Sequence, residues 1–234
     1  MKLYVFQKGF HFSQDGPGNR LVFHLSGCSL GCPWCANPEG KAHGSGTCLP
    51  VEALVAEAVS ARPMFFSGGG VTLTGGEVTE QWDGVKALLG ALKERNIHTC
   101  IETNGASPRL PALSPLVDYL IMDVKHPNDA IHRQVIGVSN KTVLANLEAL
   151  GHRQLAVRIP LIGGFNDDQA EAFAALLQNR SITVEVLRYH EYGKDKYKKL
   201  GIPYTMTEKA RISDQVYQDF VNTLKEHHIC VINT

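Results

Sequence analysis

The sequence predicts an α/β fold, an incomplete (β/α)6 TIM-like barrel. Short β-rich apolar runs alternate with amphipathic helical runs, and each β run ends in a polar or glycine-rich turn. Parallel strands joined by right-handed helical crossovers make either a barrel or a doubly wound sheet, with function at the strand C-terminal ends in both. About six units fit the chain, too few for a closed eight-unit barrel.

The predicted strands are Leu21–Leu25, Val71–Leu73, Thr99–Glu102, Tyr119–Val124, Ala156–Leu161 and Thr183–Arg188. Between them, LPVEALVAEAVSARP, EQWDGVKALLGALKERN, NKTVLANLEALG and DDQAEAFAALLQN place apolar residues at helical spacing, with acidic or capping residues near their starts. They read as crossover helices. The tail TEKARISDQVYQDFVNTLKEHHICVIN adds one more amphipathic helix and a short strand, and no proline-rich linker sets it apart. Residues 1–234 are therefore expected to form a single domain.

The chain has 234 residues, 44% of them hydrophobic, enough to bury a core. Its 23 basic residues balance 23 acidic ones, which argues against nucleic-acid binding by bulk electrostatics. The opening MKLYVFQKGFHF lacks the layout of a secretory signal, and no apolar run reaches membrane-span length, so a cytoplasmic protein is expected.

Three of the six cysteines crowd into GCSLGCPWCANPEG, as Cys28, Cys32 and Cys35. A redox disulfide needs only the Cys32–Cys35 pair and leaves Cys28 unexplained. A structural zinc site wants four ligands, and only Cys48 or a histidine such as His43 is placed to complete it. A four-iron cluster held by three thiolates instead leaves one iron open to another ligand. Spacing alone does not separate zinc from iron–sulfur. Cys48, Cys100 and Cys230 have no ligand spacing and read as ordinary thiols.

CxxxCxxC after a first strand, with Trp34 before the last cysteine, resembles the radical S-adenosylmethionine (SAM) superfamily. DGPGNRLVFHLSGC, CAN, SGGGVTLTGGE, ETNG, DVK, GVSN and LRYHEYGKDKY then occur in the order seen in its glycyl-radical-enzyme activating enzymes. The resemblance runs from about Phe12 to Leu200. It makes the expected barrel one of the radical SAM type.

The resemblance implies that Cys28, Cys32 and Cys35 hold one 4Fe–4S cluster, and that SAM chelates its open iron. Without further CxxC repeats between Cys35 and Val51, no ferredoxin-like insertion is expected. Gly75, Gly76 and Glu77 would meet the SAM amino group through their backbone, where glycine permits close approach; no Gly-Lys-Ser/Thr follows them, so they are not a phosphate loop. Trp34, Cys35, Ala36 and Asn37 would lie beside SAM, with Ala36 in place of the family's histidine. Glu102, Thr103, Asp123, Val124 and Lys125 would contact SAM or a monovalent cation beside it, Glu102 standing where the family has aspartate. His190 would lie against the adenosine.

Each of these residues also has an ordinary reading: rim salt bridges for the acidic and basic residues, a core histidine, a turn asparagine. The same holds for the two residues the resemblance assigns to the reaction. Asp15 sits in the turn-forming QDGPG, yet in the family it contacts the substrate's glycine loop. Arg158 suits a buried carboxylate pair, yet in the family it lies near the bound peptide.

The implied activity is that of an oxidoreductase in anaerobic metabolism. An electron passes from the cluster to the SAM sulfonium, a carbon–sulfur bond breaks to give methionine and a 5′-deoxyadenosyl radical, and a partner glycine loses one hydrogen. The implied partners are a glycyl radical enzyme and an electron donor such as flavodoxin or ferredoxin, with the chain itself expected to be a monomer. Lys194, Lys196, Lys198 and Lys199 make either a docking patch or a solvated face. The competing readings are another small radical SAM enzyme, acting on a nucleotide or on ribonucleotide reductase, and a non-catalytic zinc-stabilised interaction protein.

Overall fold

The computed structural model describes residues 1–150 and 154–232. Gly151, at the end of one predicted helix, and Asn233, in the last predicted strand, lie outside the described residues. The described chain is a mixed α/β fold with largely parallel strands and flanking helices, consistent with the incomplete barrel expected. It gathers into two compact units, one of Met1–Ser29 with Glu39–Ile121, the other of Leu30–Pro38 with Met122–Thr234.

The first unit contains β1 (Lys2–Phe12), β2 (Asn19–Leu25), β3 (Thr47–Pro50), α1 (Val51–Ser60), β4 (Gly70–Gly75), α2 (Trp82–Glu94) and β5 (Thr99–Thr103). Its strands lie in the order β3-β1-β2-β4-β5. β1 runs antiparallel to β2 and β3, whereas β2, β4 and β5 are parallel, with Leu25 opposite Gly75. β2 is buried along its whole length, as a strand covered on both faces must be. On α2, Val85, Leu88, Leu89 and Leu92 recur at helical spacing and are buried, and Gly84 lets Leu3 approach.

β6 (Tyr119–Asp123) straddles the boundary between the units. The second unit then holds α3 (Asp129–Ile136), α4 (Lys141–Leu150), β7 (Leu155–Leu161), α5 (Ala170–Leu177), β8 (Thr183–Arg188), α6 (Lys194–Leu200), α7 (Asp214–Glu226) and β9 (Cys230–Ile232). β7, β8 and β9 are parallel neighbours. α5 and α7 pack through Phe173 and Phe220, whose rings meet edge to face at 5.7 Å. α3 starts at Asn128, whose side chain accepts from the Ala130 and Ile131 amides, and ends at the left-handed Gly137.

All six predicted strands and the four crossover helices are present; Thr183–Arg188 matches β8 at both ends, and the other strands differ at one end or both. The sequence reading leaves out β1, β3, α3 and α6. β1 buries only Leu3 and Val5 among its eleven residues, so it carries little apolar alternation to read. α3 and α6 are short and polar, and tertiary contacts rather than periodicity fix them.

Candidate active site

In the first unit, the turn after β1 is held from several sides. The Asp15 carboxylate pairs with Nδ1 of His11, and its main-chain oxygen accepts from Thr72 Oγ1 at 2.6 Å. Thr72 in turn accepts from Arg20 Nε at 3.0 Å. Arg20 is wholly buried and also donates to the main-chain oxygens of Pro17 at 3.3 Å and Val71 at 2.5 Å. Burial pulls its pKa down, and Cys100, Asp118 and Asp15 oppose this. A side chain at Gly18 would meet Gly69 backbone at 2.6 Å, so the turn requires glycine there. The sequence reading missed both His11 and Arg20; the buried arginine inside an apolar strand was the available signal.

The loop after β4 packs backbone to backbone against the segment that leads into Cys28. Gly76 N–H donates to Leu25 O and Glu77 N–H to Gly27 O, each at 2.7 Å. A Cβ at Gly76 would lie 2.3 Å from Gly27 O, and one at Gly75 would lie 2.5 Å from Leu25 N. The Glu77 side chain is 2% exposed and turned inward. Its Oε1 accepts from Thr79 N–H (3.0 Å), Thr79 Oγ1 (2.7 Å) and Thr103 Oγ1 (2.8 Å), and its Oε2 from the Asn104 amide (2.8 Å). Burial raises its pKa, and these hydrogen bonds act against the rise. The carboxylate thus ties the GGE loop to the ETNG loop. Asn104 extends Nδ2 to within 3.8 Å of Cys28 Sγ, a contact that the sequence reading did not assign. Glu102 accepts from Thr74 Oγ1 at 2.7 Å.

In the second unit, Cys32 and Cys35 lie on one turn, closed by Cys35 N–H to Cys32 O at 3.3 Å. Trp34 packs on Phe165, centroid to centroid at 4.9 Å, and Phe165 packs on His126 at 5.0 Å. The segment around α6 presses on the far side of this turn. A Cβ at Gly193 would stand 2.6 Å from Cys35 O and 3.1 Å from the Ala36 Cα, and Lys196 Nζ donates to Asn37 Oδ1 at 2.9 Å. Tyr197 is buried, its pKa pushed up to about 12 first by burial and then by the nearby Cys35 side chain, while the Cys35 backbone opposes the rise.

Lys125, also buried, donates to Asp123 Oδ2 at 2.5 Å, and the Val124 amide donates to Arg158 O at 2.9 Å. Arg158 Nε donates to Glu185 Oε2 at 2.5 Å, a pair with 13% and 5% of its side chains exposed. This is the carboxylate pairing that the ordinary reading of Arg158 describes. His190 stacks on Tyr192 at 4.2 Å, and burial lowers its pKa, which favours the neutral imidazole. Of the four lysines around α6, Lys194 pairs with Glu191 at 3.4 Å and Lys196 holds Asn37.

None of the six cysteines forms a disulfide. Cys28, Cys32 and Cys35 are each partly exposed, so the donor set is three accessible thiols, which suits an iron–sulfur cluster. Among the described residues, no three His, Cys, Asp or Glu side chains are drawn together into a metal-holding group. The fit therefore rests on donor chemistry and on the glycine-only backbone of the GGE loop.

The fold and these loops define a class. A family model described as the radical SAM superfamily matches residues 22–177. The pyruvate formate-lyase 1-activating enzyme of Escherichia coli (strain K12) is 34% identical over 203 residues, covering 82% of each chain. The isethionate sulfite-lyase activating enzyme of Nitratidesulfovibrio vulgaris is 31% identical, covering 78% of this chain and 82% of its own. Among solved structures, a domain of a pyruvate-formate lyase-activating enzyme from Bacteroides vulgatus ATCC 8482 superposes with a TM-score of 0.55 at 23% identity, covering 71% of this chain and 99% of its own. The chain belongs to the radical SAM superfamily and, within it, to the glycyl-radical-enzyme activating enzymes. It is an oxidoreductase of that type, and its family membership implies use of SAM and a 4Fe–4S cluster. Family membership displaces the zinc-stabilised interaction protein. Among the described residues, no helix is long and apolar enough to cross a membrane.

Proposed function

We propose that this chain installs a glycyl radical on a partner enzyme, using one 4Fe–4S cluster on Cys28, Cys32 and Cys35 and no second cluster, all within one radical SAM domain without a ferredoxin-like insertion. The observation that carries the reading is 34% identity to an activating enzyme across 82% of each chain. When bound, the cluster supplies the electron that opens the SAM sulfonium, and the resulting fragment takes one hydrogen from the partner's glycine.

The residues of this chain bind and orient. The main chain of Gly75, Gly76 and Glu77 offers itself to SAM, and the Glu77 side chain braces that loop from behind. Trp34, Cys35, Ala36 and Asn37 line SAM on the cysteine side, while Glu102, Thr103, Asp123, Val124 and Lys125 supply the polar contacts for SAM and a monovalent cation. The neutral ring of His190 is suited to packing on the adenine. Asp15, steadied by His11, Thr72 and Arg20, receives the partner's glycine loop. Arg158, held by its pair with Glu185, lies near the bound loop. Reduction comes from a flavodoxin or ferredoxin, and the chain works as a cytoplasmic monomer.

The test is anaerobic. Purified, iron-loaded protein is mixed with SAM, a reductant and candidate glycyl radical enzymes of the pyruvate formate-lyase, isethionate sulfite-lyase and choline trimethylamine-lyase types, the lyases for which similar activating enzymes are named. A glycyl doublet by electron paramagnetic resonance with one of them is expected. A colourless, zinc-replete protein that cleaves no SAM would sink the proposal. Cys32→Ala should abolish SAM cleavage, whereas Asp15→Ala should spare uncoupled cleavage and impair partner activation.

A further inference from the structure

The second unit places a buried phenol behind the turn that carries two of the proposed cluster ligands. Tyr197 is 6% exposed and its hydroxyl is fully buried; the backbone of Cys35 acts on its oxygen, and no acceptor for its hydrogen is found among the described residues. A buried hydroxyl left in that state loses its water hydrogen bond without a replacement. An acceptor absent from the protein chain would supply one.

The surroundings limit what the acceptor can be. The ring of Tyr204 meets Tyr197 edge to face at 5.0 Å, but the Tyr204 hydroxyl is spent on Tyr189 at 2.8 Å. The groups that act on the Tyr197 oxygen besides Tyr204 are Cys35 and Cys32. Its approach is fixed on both sides, since Gly193 admits the Cys35 carbonyl where a Cβ would stand 2.6 Å away, and Lys196 holds Asn37 at 2.9 Å. α6 is therefore seated on the Cys32–Asn37 turn, with its one buried aromatic turned toward the thiols.

Resting on the cluster reading above, we infer that Tyr197 is a positioning residue that donates its phenolic hydrogen to the sulfur atoms at Cys32 and Cys35, and so raises the reduction potential of the cluster. Hydrogen bonds to sulfur are among the terms that set iron–sulfur potentials. Reduction adds negative charge to the sulfurs, so a donor aimed at them stabilises the reduced form more than the oxidised one. Removing it makes the cluster harder to reduce.

The test compares wild type, Tyr197→Phe and Tyr204→Phe after anaerobic loading with iron and sulfide. Tyr204→Phe breaks the Tyr189 contact but leaves the Tyr197 hydroxyl in place. Iron content, cluster midpoint potential and the coupling of exchangeable protons to the reduced cluster are measured. Tyr197→Phe should load the same iron and lose one exchangeable-proton coupling. At the wild-type midpoint, its ratio of reduced to oxidised cluster should fall about tenfold, equivalent to roughly 59 mV. Tyr204→Phe should match wild type in all three. The inference is overturned if Tyr197→Phe keeps both midpoint and coupling, if it loses its iron, or if Tyr204→Phe shifts the potential as far. A wild-type chain that binds no iron would instead overturn the cluster reading, and this inference with it.

Discussion

Gly76→Ala tests how tightly the GGE loop is built onto the approach to Cys28. The new Cβ would lie 2.3 Å from Gly27 O and 2.8 Å from Gly40 O, and both neighbours are backbone, which has no rotamer to change. Relief requires the two strands of chain to part by about 1 Å, an overpacking cost of roughly 1–3 kcal/mol. Parting them also strains the Gly76-to-Leu25 and Glu77-to-Gly27 hydrogen bonds, both 2.7 Å, each contributing about 0.5–1.5 kcal/mol. The sum is about 2–6 kcal/mol if both bonds are lost, and at roughly 2–4 °C per kcal/mol the melting temperature should fall by about 4–24 °C. Gly90→Ala is the matched control. It lies in α2 with nothing within 4 Å of the added carbon, so helix propensity alone acts and stability should rise by about 0.8–1 kcal/mol. The assay is anaerobic thermal unfolding followed by circular dichroism. A Gly76→Ala melt within 1 °C of wild type, or a Gly90→Ala melt that falls equally far, would refute the reasoning.

Arg158→Ala should cost about 3–5 kcal/mol in urea unfolding, because it strands the buried Glu185 carboxylate, while Arg158→Met with Glu185→Leu should recover most of the loss. Phe173→Ala, which empties the α5–α7 contact, should cost about 3–5 kcal/mol by the same assay. His98, His126, His132 and His190 all have pKa values lowered by burial. Below about pH 6.5 the unfolded chain takes up protons that the native histidines refuse, so their contribution is full above that value and is lost as pH falls through the native pKa values. The urea midpoint should therefore decline from pH 7.5 to pH 5.5, with a shallower slope in His132→Gln; a flat profile would contradict this. Glu77, whose raised pKa acts with the opposite sign, should make the decline steeper when replaced by glutamine.

The β-α alternation was legible because each parallel strand carries a buried, largely apolar centre and its crossover helices bury one face. β2, β4, β5, β6, β7 and β8 all follow that rule. β1 does not, since most of its side chains face away from the core. The order of the motifs, from DGPG through the three cysteines to YHEYG, likewise sufficed to indicate the family. What a linear pattern does not encode is where a side chain turns. The sequence assigns Glu77 only a backbone role, and the structure adds that its carboxylate is engaged by Thr79, Thr103 and Asn104, because a buried carboxylate needs donors around it.

By itself, then, the sequence determined the chemistry on offer: three closely spaced thiols, glycines where backbone must approach, and repeated β-α wiring. Tertiary structure alone decided the supports. Thr72 on β4 links Arg20 to the Asp15 turn, Asn104 reaches Cys28, and α6, far along the chain, packs on the cysteine turn through Gly193 and Lys196. Those contacts join residues distant in sequence, and only the packing that buries them fixes their direction.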